Sequence, residues 1–535
     1  MLGNRLAFWN RDRFGMALEP GMDEVSLALV ADAWSRTYRS SVTPFAASPA
    51  AVTTRNGVRL LPDKVTAAWS GERLMLDKRP AETLDSALQD IGARYGCRCR
   101  RHAARISATG ERAMKALIAG AGIGGLTTAL FLHRAGIEVE IFERAEAVRE
   151  LGVGINMLPH AVGLLAELGL MDDIDAAGIR TRELIYANRF GQIVWRELRG
   201  IDAGHTVPQF SIHRGRLLGL IHQAVVDRLG QDIIHTGCSV TGFEQEGSKV
   251  TAFLSEAGRA LQAGGDLLIG ADGIHSAVRA ALYPEEGPPV WNGVMLWRGA
   301  TRWPTWRDGR TMAIAGGNHA KFVFYPIGED PDDPDMRLTN WAVMARSHVP
   351  QAGRFTLGDW SRPGKFAQVM PFVRDRFRLD YVDPAEIISA TGAFYEYPNC
   401  DREPLPHWSF GRVTLLGDAA HPMYPVGSNG ASQAILDARS LAEHLRTHTS
   451  VEAALGAYDS ARRPPTSQIV LSNRRGGPEG VIDLVEARAP NGFDDIEAVA
   501  SHAEREQVVR GYASLAGFAA GNPQGEAGAK DSEPS

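Results

Sequence analysis

Long apolar runs and cysteines are both scarce in this sequence. No stretch of ~18 consecutive apolar residues occurs, so the sequence predicts no membrane-spanning helix. The N-terminus lacks a basic segment followed by an apolar one, which is the pattern of a secretory signal. Four cysteines among 535 residues are too few for a disulfide framework. We therefore expect a protein of the reducing cytoplasm that does not bind to a membrane.

A strong charge of either sign is also missing. The formal net charge is −6 and 44% of the residues are hydrophobic, a composition typical of globular proteins. Residues 1–113 hold 17 of the 57 Lys and Arg residues but only 12 of the 63 Asp and Glu residues, so this segment is slightly basic and the rest is acidic. Neither part is charged enough to predict a nucleic-acid partner.

Residues 115–144, KALIAGAGIGGLTTALFLHRAGIEVEIFER, predict a strand, a glycine-rich turn, a helix and a second strand. The turn has the G-x-G-x-x-G pattern of dinucleotide-binding proteins, and the helix behind it would direct its N–H groups at a phosphate. Glu143 ends the second strand, where a carboxylate can accept hydrogen bonds from ribose hydroxyls. This pattern does not separate FAD from NAD. The candidate binding residues are Gly120, Gly122, Ile123, Gly124, Gly125, Glu143 and Arg144.

Two further strand ends carry an aspartate. DLLIGADGIHSAVR places Asp272 after an apolar strand and before a helix, and RVTLLGDAAHP does the same for Asp418. The loop after Asp418 leads into an amphipathic helix whose start favours anions. Turns shaped only for packing would give the same patterns. The candidate binding residues here are Asp272, Asp418, Gly427, Asn429 and Gly430.

Together, in this order and spacing, the three motifs resemble those of the FAD-dependent aromatic hydroxylases, the group A flavoprotein monooxygenases. LGVGINMLPHAV, PQFSIHRGRL and MLWRGATR are most similar to the phenazine-hydroxylase-like branch of that family. The resemblance covers about residues 114–480. The loop PVGSNGAS lacks the longer glycine-rich insert of many salicylate-hydroxylase-like members, which argues against a salicylate-type pocket.

The resemblance implies an α/β fold, in which a Rossmann-like FAD-binding domain carries an inserted β-sheet substrate domain and C-terminal helices. The predicted parts are an N-terminal extension at 1–113, the FAD-binding domain at 114–290 and 401–480, the substrate domain at 180–210 and 291–400, helices at 481–517 and a disordered tail at 518–535.

The resemblance also implies roles for individual residues. Glu143 would hold the adenosine ribose, and Arg214 would contact FAD from the helix that it opens. Asp272 would face the pyrophosphate and the transient NAD(P)H site, and Asp418 would bind the ribityl chain. Backbone N–H groups of residues 427–430 would face the pyrimidine edge of the flavin.

The activity implied is the hydroxylation of an aromatic or heteroaromatic small molecule. NAD(P)H would reduce FAD, and a flavin C4a-hydroperoxide formed with O₂ would transfer one oxygen. A reductase or oxidase that never hydroxylates, and a flavin-bearing sensor, are the alternatives. The expected partners are a small aromatic substrate and O₂, with a homodimer left open as the assembly. The tract 291–345 supplies aromatic candidates for the pocket, although each one by itself is expected in the core rather than in the pocket. They are Trp291, Trp297, Trp303, Phe322, Phe324, Tyr325 and Trp341.

No catalytic residue can be named from the sequence. His421 is interpreted as part of a structural turn rather than as a base. Cys97, Cys99 and His102 are too few for a metal site, so no metal is expected. Short segments of the extension, such as 30–38 and 84–96, resemble an amidase-like domain of bacterial transcription regulators. We hypothesise that Met114 is the natural or ancestral start and that the extension is a fused remnant or an artefact of a misplaced gene start.

Overall fold

The computed structural model of the chain describes residues 12–23, 26–27, 40–67, 69–70, 72–74, 76, 114–148, 153–317, 319–346 and 362–519. The chain divides into two compact units, Met1–Ala113 and Met114–Ser535. The predictions for Cys97, Cys99 and His102, for segments 30–38 and 84–96, and for tail residues 520–535 lie outside the described residues.

The first unit is built from short strands. They are β1 (Asp12–Ala17), β2 (Ser40–Ala46), β3 (Val52–Thr53), β4 (Arg59–Leu60) and β5 (Lys64–Val65). β2 lies between β1 and β5 in a parallel three-stranded sheet, and β3 and β4 form an antiparallel pair. Phe14 and Phe45 are buried, and Phe45 stacks on Trp69 with 5.6 Å between ring centroids.

The second unit contains the remaining elements. Its strands are β6 (Lys115–Ala119), β7 (Glu138–Glu143), β8 (Gly154–Met157), β9 (Ile179–Thr181), β10 (Glu183–Ala187), β11 (Ile193–Leu198), β12 (Gln209–His213), β13 (Ile234–Thr236), β14 (Cys238–Glu246), β15 (Lys249–Glu256), β16 (Arg259–Gly265), β17 (Leu267–Gly270), β18 (Val290–Pro304), β19 (Thr311–Ala315), β20 (Ala320–Glu329), β21 (Met336–Arg346), β22 (Phe394–Asp401), β23 (Ser409–Phe410) and β24 (Val413–Leu415). Its helices are α1 (Ile123–Arg134), α2 (Pro159–Glu167), α3 (Met171–Ala177), α4 (Arg214–Leu229), α5 (Ala277–Leu282), α6 (Phe366–Val373), α7 (Pro384–Ser389), α8 (Gly430–Thr447), α9 (Val451–Arg474), α10 (Gly480–Arg488), α11 (Ile496–Val499) and α12 (His502–Leu515).

A six-stranded sheet forms the centre of this unit, in the order β13-β7-β6-β17-β24-β23. All neighbours are parallel except β23, which is antiparallel to β24. The runs LLIG in β17 and VTL in β24 are buried at every position, as expected for strands covered on both faces. Because the strands are parallel, the turns that follow β6, β17 and β24 emerge at the same edge of the sheet.

A second sheet of seven strands has the order β11-β10-β19-β20-β21-β18-β22 and is antiparallel except for the β10–β19 pair. Strands between residues 183 and 198 thus join strands between residues 290 and 401 in one layer. The exact domain boundaries remain a prediction. The side chains of β20 alternate between the two faces. Phe322 and Phe324 enter one hydrophobic cluster, and Val323 and Tyr325 enter another on the opposite face.

The last helices of the described residues cover the cluster that holds Val323 and Tyr325. Val481, Ile482 and Val485 of α10 and Val509 of α12 are buried in it. Ser501 and Glu504 form a capping box at the start of α12. None of the described helices is both long and apolar enough to span a bilayer. The predicted α/β fold, with a Rossmann-like sheet, a second inserted sheet and C-terminal helices, is confirmed.

Candidate active site

A cavity of about 340 Å³ lies at the edge where β6, β17 and β24 end, against the inner face of the seven-stranded sheet. Gly122 lines it after β6, Gly273 after β17 and Asp418 after β24. The three predicted motifs therefore share one cleft. This convergence follows from the parallel strand order, since ligand sites of open α/β sheets form beyond the carboxyl ends of the strands.

The first glycine turn is packed too tightly for side chains. A Cβ atom on Gly120 would lie 2.4 Å from the carbonyl oxygen of Ala271, and one on Gly125 would lie 2.0 Å from the carbonyl oxygen of Gly120. Gly120 also has a φ of +100°. No side chain among the described residues caps the start of α1 at Gly122. The first N–H groups of α1 remain free for an anion.

Glu143 is held at the end of β7 by backbone groups. Its Oε2 accepts a hydrogen bond from the N–H of Ala121 at 2.8 Å, and its Oε1 accepts one from the N–H of Ala145 at 2.9 Å. Each carboxylate oxygen retains a second lone pair, so a ribose hydroxyl could still bind. Arg144 is exposed. Neither residue belongs to the wall of the cavity.

Asp272 directs one oxygen at the start of α5 rather than at the cavity. Its Oδ2 accepts hydrogen bonds from the N–H groups of Ala277 at 2.7 Å and Val278 at 3.4 Å. Its Oδ1 is buried and has no hydrogen-bond partner among the described residues. Burial raises the pKa of this carboxyl group, and hydrogen bonds from Ser276 and from backbone N–H groups oppose the rise. One unsatisfied acceptor therefore remains beside the cavity.

Asp418 and Arg214 line the cavity close enough for their opposite charges to interact. Both side chains are exposed at the cavity wall. Desolvation by the surrounding protein raises the pKa of the Asp418 carboxyl group, and the nearby His421 and Arg214 oppose the rise. Desolvation likewise lowers the pKa of the Arg214 guanidinium, against the effect of Asp418. The pair supplies one acceptor and one cationic donor to a ligand.

Asn429, just before α8, and Gly430, the first residue of α8, line the cavity. The Asn429 Nδ2 is itself buried, and the side chain interacts with the hydroxyl of Tyr512. Gly427 lies just outside this wall and lines a much smaller neighbouring cavity. It has a φ of +67°, and a Cβ atom there would lie 2.5 Å from the ring of Tyr512.

The thirteen predicted binding residues thus fall into two groups. Those that line the cavity are Gly122, Ile123, Gly124, Arg214, Asp418, Asn429 and Gly430. Those that lie beside it or support its turns are Gly120, Gly125, Glu143, Arg144, Asp272 and Gly427.

The opposite wall of the cavity was not predicted residue by residue. It is the inner face of the seven-stranded sheet, and its apolar side chains are Leu296, Met312, Ile314, Val323, Ala342 and Met344. Arg298 and Asn340 add polar groups. Asn340 Oδ1 accepts a hydrogen bond from the N–H of Gly154 at 2.8 Å, and its Nδ2 is buried without a partner among the described residues.

Only Tyr325 of the seven aromatic candidates lines the cavity. The other six belong to, or pack against, the cluster on the far face of the sheet. Alternation along KFVFYPI indicates that β20 has two faces, but it does not say which face a ligand will share.

A buried acid from the C-terminal region also reaches the cavity. Glu479 is 2% exposed and ends a short 3₁₀ turn, Gly477–Glu479, between α9 and α10. Its Oε2 lies 3.0 Å from the Nζ of Lys321, which points to the same face of β20 as Val323 and Tyr325. No motif marks Glu479 in the sequence, because a lone acid between two helices has no distinctive spacing.

His421 does not line the cavity. Its Nε2 lies 2.6 Å from Asp437 Oδ2, and Arg462 Nε donates to Asp437 Oδ1 at 2.7 Å. Asp437 is fully buried, so the histidine and the arginine together compensate its charge. Among the described residues, no group of three His, Cys, Asp or Glu side chains is placed to bind a metal ion.

Comparison with known proteins adds a family and relatives. Residues 113–328 and 399–472 match the family described as "FAD binding domain". The chain is 43% identical over 363 residues to phenazine 1,6-dicarboxylic acid hydroxylase PhzS of Lysobacter antibioticus, covering 67% of this chain and 88% of that protein. It is 34% identical over 367 residues to aurachin C monooxygenase/isomerase of Stigmatella aurantiaca, covering 68% and 89%.

The fold has solved counterparts as well. Klebsiella pneumoniae HpxO, crystallised with FAD and uric acid, superimposes with a TM-score of 0.56 at 23% identity, over 77% of this chain and 98% of that one. The family match includes the three motifs that converge at the cavity. The chain therefore belongs to the FAD-dependent aromatic hydroxylases, the group A flavoprotein monooxygenases, on their phenazine-hydroxylase-like branch.

Proposed function

We propose that this FAD-dependent aromatic monooxygenase hydroxylates a flat, fused-ring heteroaromatic acid with NAD(P)H and O₂, and that the substrate binds in the cavity beside the flavin. The observation that carries the proposal is the composition of the cavity walls. One wall consists of the three strand-end motifs, and the other is the largely apolar face of the seven-stranded sheet. Such a cavity suits a planar ring placed next to a planar cofactor.

The residues present fit FAD. The uncapped start of α1 offers N–H groups for the pyrophosphate, and Glu143 retains lone pairs for the ribose. Asp418 and Arg214 would hold the ribityl chain, and backbone N–H groups around Asn429 and Gly430 would serve the flavin edge. When bound and reduced by NAD(P)H, FAD would activate O₂, one atom of which would be transferred to the ring.

The sheet wall determines what binds opposite these residues. Apolar side chains keep water away from the reacting centre and present a flat surface to an aromatic ring. Arg298 supplies a cation at one end. Its Nη1 donates to the hydroxyl of Tyr397 at 3.4 Å and its Nη2 to the carbonyl of Gly154, and further N–H groups remain for a carboxylate.

The relatives point the same way. The Lysobacter antibioticus protein is named for a phenazine dicarboxylic acid, which is a fused heteroaromatic acid. Both named relatives are oxygenases, so a reductase, an oxidase or a flavin-bearing sensor has less support here.

Product stoichiometry tests the proposal. The purified protein is supplied with NADH or NADPH, O₂ and either phenazine-1-carboxylic acid or 3-hydroxybenzoic acid. We expect the phenazine acid to consume equal amounts of reduced nicotinamide and O₂ and to yield a product heavier by one oxygen atom. Consumption of NAD(P)H with peroxide as the sole product for every aromatic acid would contradict the hydroxylase function.

Substitution of Arg298 tests the acid-binding role. Arg298→Met should weaken binding of phenazine-1-carboxylic acid by about tenfold or more while changing little for unsubstituted phenazine, because an interaction with a charged group is lost. Arg302→Met is the matched control, since Arg302 lies on the same strand but pairs with Asp330 in solvent. If Arg298→Met weakens binding of phenazine-1-carboxylic acid and of unsubstituted phenazine equally, Arg298 does not bind a carboxylate of the substrate.

Two expectations also stay predictions. We propose that the protein is cytoplasmic and that it forms a homodimer. Light scattering of the purified full chain measures its mass directly, and localisation of a tagged chain tests the compartment.

A further inference from the structure

Two carboxylates line the cavity within the described chain, and they come from different regions. Asp418 belongs to the flavin-side motifs, whereas Glu479 comes from the turn between α9 and α10. The turn is packed closely. A Cβ atom on Gly477 would lie 2.8 Å from Val426 and 3.4 Å from the ring of Tyr512. Glu479 is therefore held in a fixed position beside the loop that leads into α8.

Only one oxygen of Glu479 is used by the protein. Lys321 Nζ donates to Oε2 at 3.0 Å, and no described residue donates a hydrogen bond to Oε1. Asp483 lies further away, with its Oδ2 4.0 Å from the same ammonium group. Lys321 thus orients the carboxylate, and the second oxygen remains available at the cavity wall.

Side-chain direction separates this acid from the Arg298 guanidinium. Lys321 pairs with Met344, and Tyr325 pairs with Asn340, four residues along β20, which is about 13 Å at the rise of an extended strand. Arg298 itself pairs with Ala342, in the row of Val323 between these two positions. Its guanidinium extends toward the Tyr325 end, because it donates to the carbonyl of Gly154, whose N–H is bound by Asn340, and interacts with Tyr325. The cavity therefore has a cationic end, an apolar middle and an acidic end.

The charges around Lys321 favour a donor at the acidic end. Glu479, Asp483 and Glu486 all act on the lysine, and together they outnumber it. A second carboxylate on the ligand would meet net negative charge here, whereas a hydroxyl or ring N–H group would find an acceptor. The charges at this end of the cavity therefore favour a ligand hydroxyl or ring N–H group over a second carboxylate.

We propose that Glu479 recognises and activates the substrate, its Oε1 accepting a hydrogen bond from a ring hydroxyl or N–H group. This inference rests on the proposed function, since it assumes an aromatic acid anchored at Arg298. As the ring is attacked, the proton moves to Oε1 and its bonding electron pair stays on the ring, which becomes more electron-rich. The proton returns to the product, so the step itself exchanges no electrons with the protein.

Binding of a matched pair of ligands tests the inference. The probes are 6-hydroxy-2-naphthoic acid and its methyl ether, 6-methoxy-2-naphthoic acid, titrated into the FAD-loaded protein by calorimetry. The wild-type protein should bind the hydroxy acid about tenfold more tightly or better, as expected for a hydrogen bond to a charged acceptor. Glu479→Gln should abolish most of this preference. Asp494→Asn is the control, because Asp494 is exposed and does not line the cavity, and it should retain the preference.

Turnover provides a second readout. With the hydroxy acid as substrate, Glu479→Gln should lower kcat and raise KM, because the ring hydroxyl loses its acceptor. With the methyl ether, which has no proton to donate, the variant and the wild-type protein should behave alike. A purely structural role would affect both substrates equally.

The double variant Lys321→Gln, Glu479→Gln removes both partners of this ion pair at once, so neither is left without the other. If this variant, or Glu479→Gln alone, keeps the wild-type preference for the hydroxy acid, or if the wild-type protein shows none, the inference is overturned. Binding that shows the preference but never leads to a hydroxylated product would instead contradict the proposed function and leave Glu479 as a recognition residue.

Discussion

Gly120 packs its α-carbon against the backbone of Ala271, so that a Cβ atom on the glycine would lie 2.4 Å from the alanine carbonyl oxygen. This contact joins the first glycine turn to the end of β17. Gly124 makes the matching contact with the third strand end, since its Cβ would lie 2.8 Å from Leu416 Cδ2. The cavity therefore depends on close backbone packing between segments more than a hundred residues apart in sequence.

Gly120→Ala should cost the protein both stability and FAD. The new methyl group collides with a fixed carbonyl, and the φ of +100° is strained for alanine, so we expect a loss of about 2 kcal/mol or more in the free energy of unfolding. Denaturant titration and the flavin content after purification measure the effect. Gly163→Ala in α2 is the control: it meets no atom within 4 Å and should be neutral or slightly stabilising. Equal flavin content in both variants would contradict the assigned packing role.

Asp418→Ala should weaken FAD binding by about tenfold to a hundredfold, since one hydrogen bond to a charged acceptor is lost. It also removes the negative partner of Arg214 inside the cavity. Fluorescence titration of the apoprotein with FAD gives the dissociation constant. Asp494→Ala, at an exposed position, should leave the constant unchanged. If Asp418→Ala binds FAD with the wild-type dissociation constant, Asp418 does not contact the cofactor.

Removal of residues 1–113 should leave a folded, yellow and active protein. The family match begins at residue 113, the compact second unit begins at Met114, and the first strand of its sheet begins at Lys115. A unit with its own core is expected to fold alone. Flavin content and turnover per bound flavin of residues 114–535 are compared with those of the full chain. An insoluble or colourless product would show that the extension is needed for folding.

His160 should make the protein less stable in mild acid. Its two ring nitrogens are buried without partners among the described residues, and its ring stacks on Phe518 with 5.7 Å between centroids. Burial, with Arg462 and His205, lowers its pKa to about 4. Between about pH 6.5 and pH 4, His160 is protonated in the unfolded chain but stays neutral in the folded one. Its contribution to stability is therefore complete above about pH 6.5 and is lost as the pH falls toward 4.

His160→Phe should remove this part of the acid sensitivity, which amounts to at most about 3 kcal/mol. Denaturant titrations at several pH values between 7 and 4.5 measure the slope for each protein. His448→Phe, at an exposed position, serves as the control. Parallel slopes for wild type and His160→Phe would show that this histidine does not contribute.

The sequence could predict that the three turns meet at one edge of the sheet, because the information is local. A strand, a turn and a helix are each encoded by neighbouring residues, and parallel strands bring their carboxyl ends to one edge. Gly122, Asp418 and Asn429 accordingly line one cavity, although they come from distant segments. Asp272 was placed at the right strand end, but the direction of its carboxylate, toward α5, depends on a hydrogen bond that no pattern reveals.

The sequence by itself determined the α/β class, the dinucleotide turn and the family, because each rests on short motifs with fixed spacing. Only the tertiary structure decided which face of β20 meets the ligand, placing Tyr325 in the cavity and Phe322 in the core. It alone brought Glu479 beside Lys321, 158 residues earlier in the chain. The physical reason is that alternation defines two equivalent faces of a strand, and only the packing of distant helices makes one of them a core and the other the wall of a site.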